Sequence, residues 1–165
     1  MYADDTHLTY ADNDICSIEA SLNQDLPHIN RWLIANKLTL NMTKTESMLI
    51  GSRQKLNSLA VLPALEINGT QLNRVNATKS LGVLINENLT WSNHINALSK
   101  KISSGIGTIK RISHCLPPVT LQNIYHGLVQ SHFDFCSVVW DNCAKTLSDK
   151  LQQLQNRAVH VDVKN

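Results

Sequence analysis

A chain of 165 residues with 42% hydrophobic residues can bury a core, which excludes wholesale disorder, and it is long enough for one ordinary domain or two small lobes. Aromatic residues make up only 5%, so the core must be built mainly from Leu, Ile and Val, and no apolar run approaches the length of a membrane span. The net charge of +2 is unevenly spread: residues 1–91 carry seven Lys/Arg against nine Asp/Glu, a balance of −2, and residues 92–165 carry eight against four, a balance of +4. An acidic part followed by a basic part fits a protein that grips a nucleic-acid backbone, and it fits an ordinary solvated helical surface as well. The N-terminus is acidic and polar, so no signal peptide is expected and the chain is expected inside the cell, in nucleus or cytoplasm. Cys16, Cys115, Cys136 and Cys143 have neither a secretory context nor a CxxC spacing and are expected as reduced thiols.

In chain order, Met1-Tyr2-Ala3-Asp4-Asp5 reads as a tight turn presenting two carboxylates at the mouth of a strand, Thr6 to Tyr10. Strand side chains alternate between faces, so adjacent acids meet one ion only where the backbone turns. Carboxylates held there suit hard divalent cations such as Mg2+, and such pairs serve two-metal phosphoryl or nucleotidyl transfer; Asp-Asp pairs also occur in plain solvated loops. Asp14 is placed to cap a helix carrying Ile18, Leu22, Leu26, Ile29, Trp32 and Leu33 on one face, with Pro27 expected to kink or split it and Trp32 expected in the core. Asn36 to Thr45 reads as a loop and strand entry, Glu46 to Ile50 as a strand, and Arg53 to Pro63 as a surface loop. Asn68-Gly69, between Leu65-Glu66-Ile67 and Thr70-Gln71-Leu72, is a strong hairpin signal, and Lys79 to Ile85 reads as one further strand.

The pattern changes after Asn86. Ser92 is placed to cap a helix with the stripe Ile95, Leu98, Ile102, Ile106 and Ile109, weakened or opened to close packing by Gly105 and Gly107. Pro117-Pro118 ends it, and a second helix with Leu121, Ile124, Tyr125, Leu128 and Val129 begins near Val119. Phe133, Phe135, Val138, Val139 and Trp140 read as a dense apolar patch, with Cys136 a small core residue, and Leu147, Leu151, Leu154 and Ala158 mark a last amphipathic helix. The fold class is therefore α+β, short antiparallel strands plus one amphipathic helix over residues 1–91, followed by an all-α bundle over residues 92–165. His126, His132, Cys136 and Cys143 match no familiar zinc spacing.

Several of these stretches line up with one family. Tyr2-Ala3-Asp4-Asp5 resembles the YxDD box of reverse transcriptases. Trp32-Leu33, Asn36-Lys37-Leu38, Leu40-Asn41 and Lys44-Thr45 resemble the block that follows it in reverse transcriptases of non-LTR, jockey-like retrotransposons. Leu81-Gly82-Val83 and Leu89-Thr90-Trp91 with His94-Ile95 resemble the passage from palm to thumb, and Phe133 to Cys136, Val139-Trp140 and Leu154 to Ala158 resemble the helical thumb. The resemblance implies a C-terminal palm over 1–91 and a thumb-like region over 92–165. It implies that Asp4 and Asp5 bind two Mg2+ (or Mn2+) ions, that Tyr2 and Ala3 lie beside the primer end and incoming nucleotide, and that Leu81, Gly82 and Val83 position the primer strand. Lys44 matches a lysine acting on the pyrophosphate leaving group, where an ammonium neutralises charge building on phosphate oxygens; it also reads as a plain surface lysine.

The partners implied are an RNA template, a DNA primer and a dNTP, with no membrane. The thumb helices would track the duplex along its phosphate backbone, for which Lys100, Lys101, Lys110 and Arg111 are candidates. The family's third aspartate and its fingers are not in these 165 residues, so the chain by itself is expected to be inactive and to need that N-terminal palm and fingers half. The competing expectation is a non-catalytic nucleic-acid-binding remnant that uses the basic helical half, including Lys145, Lys150 and Arg157.

Overall fold

In the computed structural model the described residues are 6–162, with side chains described for 6–158. The chain forms two compact units, residues 1–76 and residues 77–165. Their cores do not share a residue: one is built on Leu26, Ile67 and Leu72, the other on residues between Val83 and Ala158.

In the first unit Asp14 opens helix α1 (Ile15–Ala35), its carboxylate accepting from the Ser17 N–H at 3.0 Å. That pairing, with further backbone N–H groups of the first turn, holds the Asp14 carboxyl below its ordinary range. Of the two outcomes expected at Pro27, a kink or a split, the split does not occur: the exposed proline forfeits one ladder bond, while Leu26 and Asn30 on either side of it are buried and hold the helix in place. Trp32 is 60% exposed, which corrects its expected place in the core. It lies about 120° around the helix from Leu26, off the face that meets the rest of the unit. That face packs on the hairpin of β2 (Glu66–Ile67) and β3 (Thr70–Gln71).

The Asn68-Gly69 turn is as read, with φ of 53° and 74°. Two asparagines fasten helix to hairpin. Asn23 Nδ2 donates to the Ala64 carbonyl at 2.9 Å while its Oδ1 accepts from the Glu66 N–H at 3.1 Å. Buried Asn30 donates to Asn68 Oδ1 at 3.0 Å.

Three further expectations are corrected in this unit. Thr6 to Tyr10 is not a strand, since no strand among the described residues pairs with it. Of Glu46 to Ile50 only β1 (Glu46–Ser47) is paired, and it runs parallel to β4 (Asn73–Arg74). The surface loop after Gly51 contains a short helix, α2 (Arg53–Asn57), because Ser52 Oγ accepts from the Lys55 N–H at 3.3 Å and caps it.

The second unit begins with an antiparallel hairpin, β5 (Ala77–Ser80) and β6 (Val83–Asn86), in place of the single strand expected over 79–85. The chain reverses at Leu81 and Gly82, with φ of 47° and 90°. Helix α3 (Ser92–Ile112) follows, and Ile95, Leu98, Ile102, Ile106 and Ile109 are all buried, as their spacing requires. Its cap is Trp91 in the left-handed region (φ 60°), and Ser92 is the first helical residue rather than the cap. Asn86 holds that approach: its side chain accepts from the Thr90 N–H at 2.9 Å and donates to Thr90 Oγ1 at 2.8 Å.

Helix α4 (Pro118–Tyr125) starts on Pro118, then widens into a π turn (His126–Gln130) before α5 (Ser131–Asp134). Gly105 of α3 lies against that turn: a Cβ there would stand 2.8 Å from the Leu128 carbonyl oxygen. The apolar patch expected around Phe133 to Trp140 is only partly buried. Cys136 takes φ 52° and breaks the helix, so α6 (Ser137–Trp140) is a single turn that turns Trp140 inward and leaves Val138 93% exposed. Helix α7 (Lys145–Asp162) buries Leu151, Leu154 and Ala158 against the same core.

Helices and short strand pairs together give an α+β composition, with helix dominating from Ser92 onward. No helix among the described residues is long and apolar enough to cross a membrane.

Candidate nucleic-acid interface

Tyr2, Ala3, Asp4 and Asp5 lie outside the described residues. Among the described residues no group of three His, Cys, Asp or Glu side chains could hold a metal ion, and His126, His132, Cys136 and Cys143 form no such cluster.

Lys44 belongs to the first unit. Its backbone is fixed by a turn centred on Asn41, whose Oδ1 accepts from the Thr43 N–H at 3.1 Å and hydroxyl at 2.6 Å. The Asn41 carbonyl accepts from the N–H groups of Lys44 and Thr45 and from the Thr45 hydroxyl. The side chain of Lys44 stands exposed on this rigid turn, just before β1.

Leu81, Gly82 and Val83 belong to the second unit, and the hairpin separates their fates. Leu81 stands 77% exposed on the tip, an apolar side chain presented to solvent. Gly82 lies under the Phe135 ring, where a Cβ would approach Cε1 to 3.1 Å. Val83 faces inward and is buried in the core.

Lys100, Lys101, Lys110 and Arg111 are all exposed on α3. At 3.6 residues per turn, Lys100 and Arg111 project within about 20° of each other on the face opposite the isoleucine stripe, roughly 16 Å apart along the axis. Lys101 and Lys110 flank them, about 100° and 80° to either side of Lys100. This is a basic surface carried on a rigid element, with Arg111 also reaching Thr108 Oγ1 at 3.4 Å. Such a surface can neutralise phosphates without reading bases. On α7, Lys150 Nζ is committed to Asn96 Oδ1 at 2.7 Å, so it serves first as a tie between the helices.

Sequence reading placed His94 in the stretch that resembles the palm-to-thumb passage but assigned it no role. It is buried on α3, accepts a hydrogen bond from β6 and packs on Trp140. Beside that motif, a polar side chain one step off an isoleucine stripe is the signal that could have singled out its place.

Compared with known proteins, the chain is 25% identical over 162 residues to a probable RNA-directed DNA polymerase from transposon BS of Drosophila melanogaster, an alignment covering 96% of this chain and 17% of that protein. It is 24% identical over 159 residues to the RNA-directed DNA polymerase from mobile element jockey of Drosophila funebris, covering 93% of this chain and 17% of the relative. Along nine-tenths or more of its length the chain is thus similar to RNA-directed DNA polymerases of mobile elements. A third relative is a putative 115 kDa protein in type-1 retrotransposable element R1DM of Drosophila melanogaster, 24% identical over 150 residues, 89% of this chain and 14% of that protein. The jockey-like resemblance read from the motifs is thus borne out along nearly the whole chain, which spans about a sixth of the curated relatives it matches. No family model matches the chain, and no solved structure does.

Proposed function

We propose that this chain is a piece of a reverse transcriptase, with residues 1–91 as the C-terminal part of the palm and residues 92–165 as a thumb-like region that follows a template–primer duplex. The observation that carries the proposal is the alignment of 96% of the chain with a polymerase of the same kind of element. Nucleotidyl transfer in the parent enzyme would use Mg2+ or Mn2+ at Asp4 and Asp5, two hard carboxylate ligands, and a bound ion there would supply charge neutralisation at the phosphates. Lys44, exposed on its fixed turn, would neutralise the pyrophosphate, and Tyr2 and Ala3 would flank the primer end and dNTP. Leu81 and Gly82 would meet the primer strand at the hairpin tip, with Val83 anchoring that tip in the core. Lys100, Lys101, Lys110 and Arg111 would hold the phosphate backbone of an RNA–DNA duplex.

The third carboxylate and the fingers of the family are not among these residues. The chain alone is therefore proposed to lack polymerase activity and to depend on a palm and fingers half. Primer extension on an RNA template with Mg2+, comparing the chain with an Asp4→Asn/Asp5→Asn variant, tests this. No extension by either is the expected result; extension by the unsubstituted chain alone would overturn the inactivity and keep the two acids as catalytic.

The basic face of α3 favours a second reading, a remnant that binds nucleic acid without catalysis. Under either reading, Lys100→Ala/Arg111→Ala should weaken duplex binding and lower the slope of log affinity against log salt by about 2, since each cation neutralises about one phosphate. An unchanged slope would assign that face to solvent.

A further inference from the structure

The hairpin tip is tied to the helical core through a closed ring of interactions, and His94 is the polar link in it. The Leu84 N–H of β6 donates to His94 Nδ1 at 3.3 Å. The His94 ring lies 6.0 Å from Trp140, centroid to centroid, tilted at 49°. Trp140 Nε1–H donates to the Phe135 carbonyl at 3.1 Å. The Phe135 ring in turn covers Gly82 so closely that a Cβ there would approach to 3.1 Å. From β6 through α3 and α6, the ring returns to the residue beside Leu81.

Bond chemistry fixes the state of the imidazole. A nitrogen that accepts from an amide is bare, so the proton of the neutral ring sits on Nε2. Nε2 is buried, and among the described residues it has no hydrogen-bond partner. Protonating Nδ1 would set two N–H donors against each other at 3.3 Å and place a charge in an apolar shell. Among the described residues the surroundings give that charge no counter-ion: β6 contributes Leu84, α6 contributes Trp140, and the charge acting on the ring is Lys101 on the same helix, of like sign. Burial first, and Lys101 second, press the ring towards its neutral form.

We infer that His94 is the positioning residue of the Leu81–Gly82 tip: the neutral imidazole locks β6 to α3, and its protonation or loss releases the tip while the isoleucine stripe stays packed. That the tip meets a primer strand rests on the reading proposed above; that His94 sets its place does not.

The test uses the full chain, labelled with 15N, and two variants. Asn at this position offers an oxygen where Nδ1 stands and cannot become charged, whereas Leu offers bulk without an acceptor. In the unsubstituted chain the imidazole 15N shifts should report an Nε2–H tautomer near neutral pH. Leu84 amide protection, corrected for intrinsic exchange, should fall as pH is lowered below the ordinary histidine range. His94→Leu should show about tenfold less of that protection near neutral pH, one amide hydrogen bond's worth, with no further loss as pH is lowered and with the protection of the Ile102 amide retained. His94→Asn should restore protection and make it independent of pH. An Nδ1–H tautomer, or Leu84 protection indifferent to pH in the unsubstituted chain, would overturn the inference without recourse to any variant.

Affinity for an RNA–DNA hybrid, measured in parallel, separates the two ideas. A chain that binds no hybrid but shows the Leu84 coupling defeats the proposed function and leaves the role of His94 standing. Hybrid binding without the coupling does the reverse.

Discussion

Gly82 is the residue on which the hairpin tip depends most directly. Its φ of 90° lies where a Cβ is strained, and the space a Cβ needs is taken by the Phe135 ring. Gly82→Ala should therefore destabilise the second unit by about 1–3 kcal/mol, read as a lowered urea midpoint at unchanged slope. A midpoint within error of the unsubstituted chain would mean that the turn relaxes without cost. His94 adds a pH dependence of known sign. Its pKa lies below the ordinary 6.5, so the fold binds fewer protons than the unfolded chain in the range beneath that value. Stability is then full above about pH 6.5 and declines as pH falls below it, a decline that His94→Asn should reduce. Urea midpoints at about pH 7.5 and about pH 5.5 for the two proteins measure it, and equal declines in both would exclude His94 as the source.

At the scale of elements, α3 organises the second unit. Its stripe was legible because five apolar residues recur at spacings of three and four, and each of them is buried. Ile102 is fully buried, so Ile102→Ala should cost about 2–5 kcal/mol, the range for a large side chain removed from a packed site. Thermal unfolding followed by circular dichroism reads this, and a loss well under about 1 kcal/mol would show that the stripe is loosely packed. Gly105 is the other dependence. The π turn brings the Leu128 carbonyl to within 2.8 Å of where a Cβ would lie, so Gly105→Ala forces the two helices apart. No periodicity foretold the π turn, because Leu121, Ile124, Tyr125, Leu128 and Val129 fit the face of an unbroken α-helix; in the structure Val129 is buried and Leu128 is 43% exposed. The hairpin at Leu81–Gly82 was missed for a related reason. Lys79 to Ile85 reads as one β-forming run in which Gly82 suggests close backbone approach, and leucine is a poor residue for positive φ, so the residue before Gly82 gave no sign of a turn.

At the scale of the whole molecule, the division into two cores carries a consequence. The buried residues of the second core all lie between Val83 and Ala158, and none comes from the first unit. Residues 77–165 should therefore fold by themselves, with a cooperative thermal transition and retained helical signal. A broad, non-cooperative melt of that fragment would show that the first unit is needed for its stability. The first unit has a smaller core of Leu26, Ile67 and Leu72 and leans on the Asn23 and Asn30 hydrogen bonds between α1 and its hairpin. Less apolar area is buried there, so it is expected to open first as denaturant is added.

Features that depend on local chemistry and spacing could be read from the order of residues alone. The Asp14 cap, the Asn68-Gly69 turn, the stripe of α3 and the Pro118 start all act through residues close together in the chain. Which apolar residues reach a core was settled by packing between elements distant in sequence. Trp32 and Val138 are exposed because the faces they occupy meet no partner among the described residues, while Trp140 is buried because one helical turn swings it inward. The same holds for His94. Its chemistry became visible when β6, α3 and α6 met around it, since a part-buried amide needs an acceptor and the imidazole is placed to supply it.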